Sequence, residues 1–305
     1  MDRLRDLEVF VRVVEAGGIS RAAEQLDIAK SAVSRRIREI EARLGTQLLL
    51  RQGQRLQVTD VGQAFYQRCL RILADLDDAE QEAASAHLEL SGTLRIAAPV
   101  SFGLMHLAPA MTEFATRHPA LTLDVDFSDR RVDLIAGNFD LALRIGELAD
   151  ADLVARPLAR IRHVVCASPA YLKREGVPTR PEQLASHAGL HYSPRRDGSV
   201  WRYRAPEGSV GYVALPVRLQ ASSGEFLRDA AIAGMGVILE PTFIVYREIA
   251  AGLLVPLLTE WRWPELQLNA VYPRTRHVSR RLRAFIDLLV DRFTDTPYWD
   301  RGIAS

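Results

Sequence analysis

The side chains best suited to chemistry in this chain are hydroxyls and guanidiniums grouped in one short stretch. Ser20 to Leu44 reads SRAAEQLDIAKSAVSRRIREIEARL. Within it Ser31, Arg35 and Arg38 recur every three or four residues, flanked by Ser34, with Lys30 and Ala32 at the leading end. On a helix that spacing gathers them on one face. Arginine makes paired hydrogen bonds to guanine O6 and N7, and a serine hydroxyl bonds a phosphate or a base edge. The chemistry on offer is recognition of double-stranded DNA. A solvated basic face is the alternative for such a helix taken alone, so the surrounding elements must decide.

Those elements read as three helices and a hairpin. A first helix is expected from about Leu4 to Ala16, burying Leu4, Leu7, Phe10, Val13 and Val14 and ending at Gly17 and Gly18. Ser20 is the expected N-cap of the second helix, and the small Ala22 and Ala23 let the third helix approach closely. The third helix begins near Lys30, with Val33, Ile37, Ile40 and Leu44 on its buried stripe. This tight pattern favours the DNA reading. Two short apolar strands around Gln52–Gly53–Gln54 form a wing whose Arg51 and Arg55 track the DNA backbone or minor groove. Thr59 N-caps a long helix running to about Leu90. In it Phe65, Ile72, Ala79 and Ala86 form one heptad stripe and Cys69, Leu76, Ala83 and Leu90 a second. Such a helix packs along another helix, or against its own domain.

After the hinge Ser91–Gly92, the order strand Thr93–Pro99, helix Leu104–Arg117, strand Leu121–Phe127, helix Val132–Ala136 and strand Leu141–Ile145 implies a parallel sheet. Ligands bind such sheets at the carboxyl ends of the strands. Ser101, Asp129 and Arg144–Ile145–Gly146 lie there. A second sheet is expected over Val164–Leu258, followed by a returning strand LQLNAVYP and a terminal helix Ser279–Phe293. Between two such lobes the helix N-termini after Ser101 and Ser223 suit a carboxylate. Ser222 and Ser223 donate hydroxyls, Phe102 and Ile145 form apolar walls, and Glu225 favours a cationic or hydroxylated group. Arg144 either contributes a charge or is held in a structural salt bridge. His191 is placed in a cleft-side loop. A small organic acid is the expected ligand.

At 305 residues the chain has room for about two domains. Its net charge of +1 says little until it is divided. Residues 1–58 carry 11 basic against 8 acidic residues, residues 59–91 carry 2 against 7, and the rest 26 against 23. A basic head on an acidic stem confines any DNA contact to the head. Two distant cysteines, Cys69 and Cys166, argue against a disulfide framework or a metal site. No apolar run is long enough for a membrane span, and the acidic N-terminus is unlike a signal peptide, so a cytoplasmic protein is expected. No CxxC, GxSxG, Walker or GxGxxG pattern occurs, and the seven histidines are spread along the chain. Neither enzyme activity nor a cofactor is expected.

The motifs SRAAEQL, AVSRRIREIEARLG, LLLR and LQVTDVG, in order over some 60 residues, resemble the N-terminal part of LysR-type transcriptional regulators. DLALRIGEL, CASPAYL and AIAGMGVILEP resemble the effector domain of the same family. Lys30 stands where the family often has a neutral polar residue, and Leu49 where it often has phenylalanine. The resemblance implies an α/β chain with a winged helix-turn-helix at residues 1–58, a linker helix at 59–90 and an effector-binding domain of periplasmic-binding-protein type at 91–305. Lobe I would span about 91–161 and 267–305, and lobe II about 162–266. It further implies a homodimer, a dimer of dimers or a higher oligomer, paired through antiparallel linker helices. The partners implied are a pseudo-palindromic DNA operator, a small-molecule effector and, for an activator, RNA polymerase.

Overall fold

The computed structural model describes residues 2–303 apart from 53–54, 85–88, 131–132, 135–136, 138, 147–152, 194–198, 275–277 and 295; the side chains of 51–52, 55, 75, 77–78 and 81–84 lie outside that description as well. The head consists of helices α1 (Arg3–Glu15), α2 (Ile19–Gln25) and α3 (Lys30–Leu44), the hairpin β1 (Leu49–Gln52) and β2 (Arg55–Val58), and the start of helix α4 (Asp60–Ala84). Phe10, Val13, Ala22, Val33, Ile40 and Leu48 form its core, with α2 and α3 drawn together over the two alanines. Gly17, at φ +65°, ends α1 in the left-handed region that favours glycine.

Three expectations for the head need correction. Ser20 is not an N-cap: Gly18 takes that position, and Ser20 is the second residue of α2. The two glycines complete the turn early enough for the helix to start ahead of the hydroxyl. Leu4 and Leu44 are exposed rather than buried, because each lies in the end turn of its helix, beyond the crossing.

Thr59 caps α4 as expected, its Oγ1 accepting from Gly62 N at 2.9 Å while donating to the Gln47 carbonyl. The heptad stripes then divide between two environments. Phe65 packs its ring 5.2 Å from that of Phe10, and Cys69 is fully buried in the head core. Further along, Ile72 is 45% exposed. Ala83 and Ala86 fall outside the described residues or side chains. Thus the helix packs against its own domain first and leaves apolar surface free afterwards.

The remaining chain runs β3 (Gly92–Ala98), α5 (Val100–Phe102), a π-turn (Gly103–Leu107), α6 (Ala108–Arg117), β4 (Leu121–Phe127), β5 (Leu141–Ile145), β6 (Leu153–Ala167), α7 (Pro169–Glu175), β7 (Gly189–Tyr192), β8 (Val200–Arg204), β9 (Val210–Ala214), β10 (Val217–Ala221), α8 (Gly224–Ile232), β11 (Val237–Pro241), α9 (Thr242–Ala250), β12 (Val255–Leu257), β13 (Glu265–Pro273) and α10 (Arg280–Arg292). The expected helix Val132–Ala136 falls largely outside the described residues.

Rather than two separate sheets, one path runs β10-β7-β11-β6-β13-β5-β3-β4. Parallel groups at either end are joined through antiparallel β6 and β13. The 15-residue β6 changes partner midway: Arg162 is the last residue opposite β13, and His163 the first opposite β11. A strand shared in this way joins two lobes and fixes a cleft between them. Among the described residues no helix is long and apolar enough to cross a membrane.

Candidate nucleic-acid interface and ligand cleft

Helix α3 is oriented by two carboxylates. Asp6 of α1, nearly fully buried, accepts from Arg36 at 2.6 Å and lies 3.7 Å from Arg43. Glu41 takes the backbone N–H groups of Leu48 and Leu49 at 2.9 and 3.1 Å, tying α3 to the first wing strand. Asp6 holds the side of α3 that carries Arg36 and Arg43, Glu41 holds its C-terminal end, and the first part of the side away from Asp6 is left free. Lys30, Ser31, Arg35 and Arg38 are exposed there, with Ser34 and Ala32 half-buried beside them. Arg35 is 68% exposed, with a loose ion pair to Glu39 at 3.8 Å, and Arg38 Nε donates to the Ser34 carbonyl at 3.3 Å. Such surface pairs are weak and exchange readily for a phosphate or base.

Helix α3 also carries no side-chain cap, since Ala29 occupies its N-cap position. Its first backbone N–H groups and positive dipole end therefore face outward, which suits a phosphate. Ser20 is exposed at the start of α2, whose N-terminus is likewise without a side-chain cap. Arg51 and Arg55 occupy the wing strands, Gln52 pairing with Arg55 across the turn, while their side chains lie outside the description. Sequence reasoning missed Asp6 and Glu41. Their partners lie 30 and 7 residues away, and no local periodicity signals such pairing.

At the lobe junction the expected residues divide into two groups. Ser101 Oγ donates to Glu225 at 2.8 Å, a bond spanning 124 residues of chain between α5 and α8. Ser223 caps α8, accepting from Phe226 N, and its hydroxyl donates to the same Glu225 oxygen at 3.2 Å. Asp129 accepts from Val100 N at 3.0 Å. Ser222 is exposed beside Ser223. Arg144 and Ile145 end β5 opposite Asn269 and Leu268, and Gly146 follows at φ +117°. The chain's own carboxylates thus already hold donors that the sequence assigned to a ligand.

Two expected residues are placed elsewhere. Phe102 is fully buried, its ring 5.3 Å from those of His106 and Phe243 and 5.7 Å from that of Trp299, so it belongs to an aromatic core and not to a cleft wall. His191 lies on β7 rather than in a loop, 3% exposed with its ring 5.7 Å from Trp201. Sequence position located the turn before Phe102 but not which way its side chain faces, and it took the strand carrying His191 for a loop. Tyr192, not singled out before, lies within electrostatic reach of Asp129, Glu240 and Glu225. Burial pushes its hydroxyl up to about 12, with the three carboxylates adding to the shift. Glu240, also missed, is buried at the end of β11 against the first residue of α8.

Two family models match the chain. Residues 4–63 match the bacterial regulatory helix-turn-helix protein, lysR family, and residues 87–294 match the LysR substrate binding domain. The chain belongs to the LysR-type transcriptional regulators. The HTH-type transcriptional regulator CrgA of Neisseria meningitidis is 40% identical over 94% of this chain and 95% of its own length. The regulator YhjC of Escherichia coli is 35% identical over 95% of this chain and 97% of its own. The solved structure of CrgA superimposes with a TM-score of 0.61, covering 94% of this chain and 97% of CrgA. Full-length AphB, a Vibrio cholerae virulence activator, gives 0.60 at 27% identity, covering 95% and 99%. This LysR-type chain is accordingly a DNA-binding regulator with an effector-binding domain, not an enzyme.

Proposed function

We propose that this regulator reads a pseudo-palindromic DNA operator as a homodimer or dimer of dimers, and that a small organic acid in the lobe cleft sets how its heads are spaced. The reading is carried by α3, whose exposed Lys30, Ser31, Arg35 and Arg38 lie away from the face that Asp6 fixes through Arg36 and Arg43. Arg35 and Arg38 read base edges, while Ser20, Ser31, Ala32 and Ser34 meet the backbone and groove wall. Arg51 and Arg55 follow the flanking backbone. Residues 1–58 form the head, 59–90 the linker and 91–305 the effector-binding domain. The free apolar stretch of α4 around Ile72 pairs with the same helix of a second subunit. The protein works in the cytoplasm, and an activating form would also contact RNA polymerase.

For the effector, Glu225 is the pivotal group. It takes hydroxyls from both lobes, Ser101 and Ser223, and so latches them together. A ligand carboxylate competes for those hydroxyls and is balanced by Arg144, while Glu225 and Asp129 turn to an amino or hydroxyl group on the same ligand. Ser222, Ile145 and Gly146 complete the cleft. The effector shifts the lobe arrangement only by its difference in affinity for the two states. Thermal shift with metabolite carboxylates tests this: a ligand at one hundred times its Kd stabilises by about 2.7 kcal/mol. Stabilisation by at least one hydroxy or amino acid, lost in Ser101→Ala, is expected; no response to any of them contradicts the reading.

A further inference from the structure

The strongest feature outside the head and the cleft is an arginine-lined groove of about 840 Å³ between the β8–β9 hairpin and the segment that enters β13. Five arginines and two carboxylates line it, and none of the cleft residues above does. Arg160 and Arg162 of β6 are matched to Glu265 at 3.4 and 3.8 Å, and Arg162 also lies 3.9 Å from Asp300. Arg202, Arg204 and Arg262 are not matched in this way. All three are exposed, and among the described residues none forms an ion pair; the Arg204 side chain donates to the Gly208 carbonyl.

Their grouping is built into the backbone. Strand β8 alternates, burying Trp201 and Tyr203 and turning Arg202 and Arg204 outward together. Tyr203 anchors the strand by donating to Glu182 at 2.6 Å. Arg204 and Arg262 then exchange two backbone hydrogen bonds of 2.9 Å in an isolated antiparallel bridge. Like charges placed directly across such a bridge destabilise the fold unless something neutralises them. Trp261 and Trp263, both half-buried, supply the aromatic walls.

We infer that this groove is a second ligand site, taking a small polyanion with a planar ring, of the nucleoside polyphosphate class. Arg202, Arg204 and Arg262 bind the phosphates, and the indoles take the ring. Guanidinium forks match phosphate oxygens, and their faces and the indole rings stack on planar groups. The groove's volume lies within the range of small-molecule sites.

The test is calorimetric titration of the full-length protein with ATP and, separately, with inorganic tripolyphosphate at constant ionic strength. ATP is expected to bind, and tripolyphosphate about tenfold more weakly or worse, a difference of about 1.4 kcal/mol. Arg202→Gln with Arg262→Gln should weaken ATP by at least about tenfold. These substitutions leave the backbone bridge in place and remove repulsion, so the variant should melt no lower than the parent. Should it melt lower, Arg202→Gln alone, outside the bridge, supplies the comparison. No heat with ATP, equal affinity for tripolyphosphate, or unchanged ATP affinity in the folded variants would overturn the assignment. A loss of duplex DNA affinity with ATP binding intact would instead make the groove a DNA contact, and would overturn it equally.

Discussion

Arg35 and His106 carry opposite kinds of information. Arg35 could be read from sequence because its role follows from spacing alone: it lies opposite Val33, Ile37 and Ile40, which are buried, and is itself exposed. Arg35→Ala is expected to weaken operator binding by about 1–3 kcal/mol while leaving the melting curve unchanged. A folded variant with full operator affinity in a mobility-shift titration would remove Arg35 from base reading. His106 gave no signal in the sequence, because its environment is assembled from distant segments. Its Nδ1 lies 2.5 Å from the Tyr298 hydroxyl and its Nε2 3.1 Å from the Phe243 carbonyl, in a box completed by Phe102 and Trp299. Burial drives its pKa down from 6.5 to about 4. The folded state therefore refuses a proton that the unfolded chain accepts. Stability from this residue is full above pH 6.5 and falls as the pH drops towards 4, by about 3 kcal/mol in all. Urea unfolding at several pH values should show that slope in the parent and lack it in His106→Phe; equal slopes would contradict the assignment.

Among the elements, helices and strands with a clear period were legible, and their junctions were not. The strands Leu121–Phe127 and Leu141–Ile145 have the ends their β-branched and apolar runs suggest. The start of α2 was misplaced because a hydroxyl looks like a cap whether or not a Gly–Gly turn has already begun the helix. The role of Phe102 was misread because its turn opens a continuous α–π–α helix that rotates the ring into the core. At the head–linker junction Gly62 has no room for a side chain: a Cβ there would collide with the Leu48 carbonyl oxygen, the same oxygen that accepts from Thr59 N. Gly62→Ala should therefore cost about 1–3 kcal/mol, read as earlier unfolding of the head by calorimetry. A parent-like transition would mean that the wing and α4 separate freely.

At the scale of the molecule, one helix joins a reading surface to a two-lobed sensor, and one strand joins the lobes. The fold class was legible because alternating strand and helix patterns allow few arrangements. The single sheet path through β6 was not legible, since a strand that changes partner at Arg162–His163 has no local mark. Nor was the Ser101–Glu225 latch, which pairs residues 124 apart. The central claim is that the exposed face of α3 reads a defined site as part of a symmetric assembly. It is tested most directly by selecting bound sequences from a random DNA pool with the full-length protein. The account predicts enrichment of a pseudo-palindrome whose half-sites are separated by about one helical turn, 10–10.5 base pairs, or a multiple of it. Binding that stays weak, sensitive to salt and blind to sequence would contradict it.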